Sequence, residues 1–115
     1  MADEIIELTV LEYLKSVLDV PVYMEVPAEM PASFIVVQKL GSGKENHIYS
    51  SSFALQSYAE STYKAAMLNA FVIETMESMG SLGRIISVKL NSDYIYTDTS
   101  NKKPRYQCVF DIRHY

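Results

Sequence analysis

Tyr106-Gln107-Cys108-Val109-Phe110-Asp111-Ile112-Arg113, near the end of the 115-residue chain, has the strictest alternation in the sequence. Tyr106, Cys108, Phe110 and Ile112 fall on one side of an extended backbone, and Gln107, Asp111 and Arg113 fall on the other. A strand with one apolar and one mostly polar face belongs to an antiparallel sheet covered on one side.

Working back from that strand, two helical segments can supply the cover. In Glu4 to Leu18, Ile6, Val10, Tyr13, Leu14 and Val17 fall within one arc at 100° per residue, with Asp3 as the expected N-cap. Asp19-Val20-Pro21 ends the helix, because a residue before proline is pushed toward extended angles. Val22 to Val26 is a short strand candidate, and Pro27 and Pro31 bracket a segment that cannot donate a full hydrogen-bond ladder. Phe34 to Leu40 and Ile48 to Tyr58 are expected to form a hairpin, with Gly41-Ser42-Gly43-Lys44-Glu45-Asn46 as a mobile tip. Glu60 to Met79 returns to helix, with Gly80 suited to the left-handed position after its end. Arg84 to Leu90 and Tyr94 to Thr97 are strand candidates with a break near Asn91, followed by a polar turn from Asp98 to Pro104. The order α-β-β-β-α-β-β predicts one α+β domain over residues 1–115, a largely antiparallel sheet packed with two helices.

Composition agrees with a single core. At 13.0 kDa the chain is 49% hydrophobic and 21% charged, too small for two domains. Its net charge of −4 and pI near 5.1 argue against general nucleic-acid binding, which needs clustered Lys and Arg. One cysteine cannot form an internal disulfide, and no apolar run approaches the roughly eighteen residues of a membrane span. The acidic opening Met1-Ala2-Asp3-Glu4 is unlike a secretory signal, so cytosolic synthesis is expected. Charge also changes sign along the chain. Acids dominate up to Gln38, with Lys15 the one base there, whereas Arg84, Lys89, Lys102, Lys103, Arg105 and Arg113 outnumber Asp93, Asp98 and Asp111 at the other end. Solvated faces explain this pattern; a sharper reading is that opposite ends attract in a head-to-tail assembly.

The second helix has more apolar surface than one stripe needs. Ala65, Leu68, Val72, Met76 and Met79 form the expected core face, while Tyr63, Met67, Ala70 and Phe71 lie broadly opposite. These four require either a loop or the first helix of the same chain, or a neighbouring copy, since exposed apolar patches often mark contacts. Leaving Phe, Met and Tyr in water forgoes roughly 1.5–3 kcal/mol each.

No catalytic, metal-binding or cofactor-binding constellation is expected. Gly41-Ser42-Gly43-Lys44 is not a phosphate loop, because Gln38 and Glu45 stand where that motif needs Gly and Ser or Thr. His47 and His114 have no Cys or His partner at zinc-ligand spacing and read as surface or strand-end residues. Cys108 lies in an apolar alternation and reads as core, some 20 Å along a strand from His114. Asp93 and Asp98 read as solvated turn residues. Tyr94 and Tyr96 near the basic third raise single-strand stacking, which the overall acidity disfavours.

Val20-Pro21-Val22, Glu25-Val26-Pro27, Phe34-Ile35-Val36-Val37, Leu55-Gln56-Ser57-Tyr58-Ala59 leading into an Ala-rich helix, and Pro104-Arg105-Tyr106-Gln107 together resemble the tail terminator and tail-completion proteins of long-tailed bacteriophages. The similarity spans nearly the whole chain and rests on order and spacing; it departs at Tyr58, where relatives often carry Trp. The resemblance implies a phage or prophage structural protein, not an enzyme, whose copies close into a ring, typically a hexamer, on the head-proximal end of the tail tube. Such a ring ends tube polymerisation and joins the head. Implied partners are further copies of the chain, the tail tube protein and the head-tail connector proteins, with DNA only passing through the lumen and no membrane. On this reading Tyr63, Met67, Ala70 and Phe71 form the protomer interface. Gly41, Ser42, Gly43 and Lys44, with Lys102 and Lys103, are loop residues that meet tube or connector. Alternatives are a head-side neck protein, a small enzyme, or a peptide or nucleic-acid binding module.

Overall fold

The computed structural model describes residues 5–97, 100 and 102–115. Helix α1 spans Ile6–Val17 and buries Ile6, Val10, Leu11 and Leu14. Glu7 in its first turn and Lys15 in its last complement the helix dipole. Ile5 stands at the N-cap without a side-chain cap, and Asp3 lies outside the described residues. The Leu18 amide bonds the Leu14 carbonyl, after which Pro21 turns the chain into the two-residue strand β1, Val22–Tyr23.

Strand β2, Phe34–Glu45, lies parallel to β1 and antiparallel to β3, Ile48–Tyr58. Helix α2 covers Thr62–Ser78, β4 covers Ile85–Ile95 and β5 covers Arg105–His114. The sheet order is β1-β2-β3-β5-β4, antiparallel except at β1–β2. The fold is thus the expected α+β arrangement of two helices and a mostly antiparallel sheet.

Both helices pack on one face of the sheet. Ile35, Val37, Phe53, Leu55, Cys108, Phe110 and Ile112 meet Val10 and Leu14 of α1 and Val72 and Met76 of α2 in one buried cluster. Burying each large side chain contributes roughly 1.5–3 kcal/mol. Ser61 caps α2 by accepting the Lys64 amide at 3.1 Å. The far end differs from expectation: α2 runs into a 3-10 turn over Met79–Ser81, and no described glycine has positive φ, so Gly80 is not a left-handed cap. The Leu82 amide bonds the Met79 carbonyl, satisfying the helix end without that conformation.

Two further expectations are corrected. Gly41, Ser42, Gly43 and Lys44 are strand residues rather than loop: their ladder with Tyr49 to Ser52 continues to the pair Glu45–Ile48. The turn is only Asn46-His47, both with positive φ (51° and 66°), the geometry of a type I′ hairpin. The hairpin therefore forms a paired arm, exposed on β2 from Gln38 onward, on a molecule of 43 × 27 × 24 Å. Likewise β4 is continuous, and the expected break near Asn91 is a register shift between Leu90 and Ser92, a bulge. Lys102, with φ 54°, and Lys103 lie in the turn before β5; Asp98, Thr99 and Asn101 lie outside the described residues.

Candidate assembly surfaces

Tyr63, Met67 and Phe71 of α2 are 73%, 43% and 54% exposed, and Ala70 is exposed beside them. The core stripe on the opposite side, Ala65, Val72 and Met76, is fully buried. Among the described residues, neither α1 nor a loop covers the outer stripe completely; the end of α1 only flanks it. Met67, Leu68 and Phe71 also form one wall of a groove of about 460 Å³ whose other wall is Val17, Leu18 and Val20 at the end of α1. The groove lies where α1 has ended, its C-cap Leu18 already extended, so α1 does not run alongside the first turns of α2.

A second concavity, about 400 Å³, lies between the start of α1 and the base of the hairpin arm. Ile5, Lys39, Tyr49, Arg84, His114 and Tyr115 line it. Lys39 pairs with Glu7 at 3.3 Å, joining β2 to α1. Arg84 donates to the Tyr115 carbonyl at 3.1 Å and to the Thr9 hydroxyl at 3.0 Å. Lys44 sits 5.0 Å above the Tyr49 ring, and that ring stacks on His114 at 5.4 Å.

His114 is a strand-end residue but a buried one, 3% exposed. Its Nδ1 lies 3.2 Å from the Tyr115 carbonyl, which can only accept, so in the neutral ring Nε2 accepts from the Ser51 hydroxyl at 2.9 Å. Burial holds the His114 pKa below its ordinary value, with Arg84 and Lys39 adding to the effect and the Tyr115 bond and Glu7 opposing it. This is the tautomer that a hydroxyl nucleophile's base would need. Ser51 is itself only 3% exposed, and the pair ties β3 to β5 at the floor of this concavity. Cys108 is fully buried, and desolvation pushes its thiol up to about 12, with Asp93 adding to the shift; it is a core residue.

Asp93 is placed differently from expectation, in a strand and not a turn. Asp93 lies within β4 opposite Cys108, where the Asn69 side chain of α2 reaches it at 3.4 Å. Asp111 accepts from Ser52 at 2.7 Å and from Asn91 at 3.0 Å, so the bulged residue supplies a partner. These bonds, from Asn91 first and then Ser52, hold its carboxyl below the usual range.

On the face away from the helices, cross-strand rows organise the sheet. Gln56 donates to Gln107 at 2.9 Å, and Gln107 in turn donates to the Tyr94 hydroxyl. One row along, the Arg105 guanidinium sits over Tyr96 at 4.1 Å and over Tyr58 at 5.4 Å. Arg105 belongs to this packed row, and Lys102 and Lys103 lie in the turn beside it. The hypothesised contact residues thus fall in three places: the α2 face, the arm, and the turn before β5. Ser51–His114 and Gln56–Gln107–Tyr94 could not be paired from sequence, because the pairing depends on strand register.

No protein-family model matches the chain, and no curated protein matches it.

Proposed function

We propose that this chain is a virion structural protein that assembles with copies of itself into a ring capping the head-proximal end of a long phage tail tube. The ring ends tube growth and offers a surface to the head connector. The observation that carries this reading is the outer stripe of α2: Tyr63, Met67 and Phe71 stand in solvent on a helix whose opposite side is fully packed. A closed ring needs two different patches per protomer, one meeting the other on the next copy. The α2 face and the arm-flanked cleft are two such patches on different parts of the surface. Lys102, exposed in the turn before β5, and the half-buried Lys103 beside it supply cations toward tube or connector. The arm suits such a contact, since its paired strands present fixed side chains beyond the core.

The test is imaging of tail tubes polymerised with and without the protein. Tubes that stop growing and carry a ring at one end support the reading. Unchanged tube length with no density at either end contradicts it.

A further inference from the structure

A head-to-tail ring requires that one particular patch fit one particular other, and the charges distinguish the pairings. We infer that the outer face of α2 in one copy seats in the cleft at the base of the hairpin arm of the next copy; this inference rests on the ring reading above.

The outward arc of α2 changes character along its length. Tyr63, Met67 and Phe71 make its first half apolar, and Glu74 and Glu77 make its second half acidic. The rim of the cleft is complementary, its one lining acid, Glu7, being paired with Lys39. Ile5, Tyr49 and Tyr115 expose apolar surface at 59%, 38% and 61%, and Lys44 stands at its arm side. Lys44 has no carboxylate partner among the described residues, and neither Glu74 nor Glu77 has a basic one. Lys39 is already paired with Glu7, so Lys44 is the arm cation available to an incoming acid.

A protomer cannot make this contact with itself. The apolar part of the α2 face lies beside Val17 and Leu18 at the end of α1, and the cleft lies beside Ile5 and Ile6 at its start. Twelve helical residues separate the two by about 17 Å. Two copies meeting α2 to α2 would leave Lys44 and the two glutamates without partners, whereas α2 in cleft pairs them.

Charge exchange tests the pairing, with sedimentation velocity reading the assembly. Lys44→Glu alone and Glu74→Lys/Glu77→Lys alone should each weaken self-association about tenfold while leaving circular dichroism unchanged, all three side chains being exposed; Lys44→Glu also gives up the contact with the Tyr49 ring, so Lys44→Gln, which loses that contact without reversing the charge, is the control for melting. The triple variant carrying both changes should regain wild-type assembly, because each reversed charge again meets its opposite. If both single-side variants weaken assembly and the triple variant does not recover, the two patches do not meet and the inference is overturned. It is equally overturned if wild type forms rings and the variants assemble as well as it does; the ring reading then stands. If wild type stays monomeric even with tail tubes, the ring reading itself fails and the inference with it.

Discussion

Phe34 and Tyr58 stack face to face, their ring centroids 4.4 Å apart and their planes 8° from parallel, on the side of the sheet that carries no helix. Both are fully buried. Tyr23 meets Phe34 edge-on at 6.0 Å, and Arg105 closes the other side by donating to the Tyr58 hydroxyl at 2.8 Å. This second small core fixes the register of β2, β3 and β5 where they leave the main core. Tyr58→Ala should lose about 3–5 kcal/mol of stability in urea unfolding, the usual cost of emptying a large aromatic site. Tyr58→Phe should lose about 1 kcal/mol, since the ring remains and only the acceptor for Arg105 goes. Equal losses for the two would mean that the hydroxyl, not the ring, holds this end of the sheet.

His47 adopts φ 66° in the two-residue turn. Histidine is strained there and glycine is not, so His47→Gly should stabilise the chain by about 0.5–1 kcal/mol in the same assay. Destabilisation of that size would mean that the arm does not close on Asn46-His47.

His114 makes stability depend on pH. Its folded pKa lies below the ordinary 6.5, so above that value the ring is neutral in both folded and unfolded chains and pH has no effect through it. As pH falls through 6.5 the unfolded chain takes up the proton first, and stability declines until the folded ring is protonated too. Asp111, whose folded pKa is depressed, acts in a lower window: its contribution is present above the carboxylate range and is lost as pH falls through that range. Thermal melts should therefore fall between pH 7.5 and 5 in wild type and fall less in His114→Gln. An identical decline in both would assign the effect elsewhere.

Cys108 should be silent to thiol reagents. A thiol raised to about 12 and fully buried is almost wholly protonated at pH 8, so labelling of native protein should be slower than in urea by roughly three orders of magnitude or more. Prompt labelling of the folded chain would show that α2 lifts readily from β5.

Phe71→Glu puts a charge on the exposed stripe of α2 without touching the core. It should give a folded monomer whose melting is within about 0.5 kcal/mol of wild type and whose elution no longer shifts with concentration. An unchanged oligomer in size-exclusion chromatography would remove this face from the contact.

Much of this architecture is legible in the residues. The alternation of Tyr106, Cys108, Phe110 and Ile112 with polar neighbours, the stop at Pro21 and the double-faced arithmetic of α2 each depend on local periodicity, which survives in a single chain. The β3 side of the arm, Ile48 to Tyr58, was legible, but its β2 side was not, because Gly41-Ser42-Gly43 lacks strand propensity and is held extended by pairing with Ser50 to Ser52, which β5 fixes from the other side. The place of Asp93 within β4 was hidden by the bulge at Asn91, which carries the strand past a polar run. The Ser51–His114 contact joins residues 63 apart in sequence, and only register brings them together. Surfaces are the least legible part: the sequence shows that α2 has a core face and a second apolar face, but not whether the same chain or another copy covers the second.

Native mass spectrometry of the wild-type chain over a wide range of concentration and salt tests the central claim most directly. One closed stoichiometry, reached without larger species and lost in Phe71→Glu, is the expected result. A lone 13.0 kDa chain at every concentration, or an open ladder of ever longer oligomers, would contradict it.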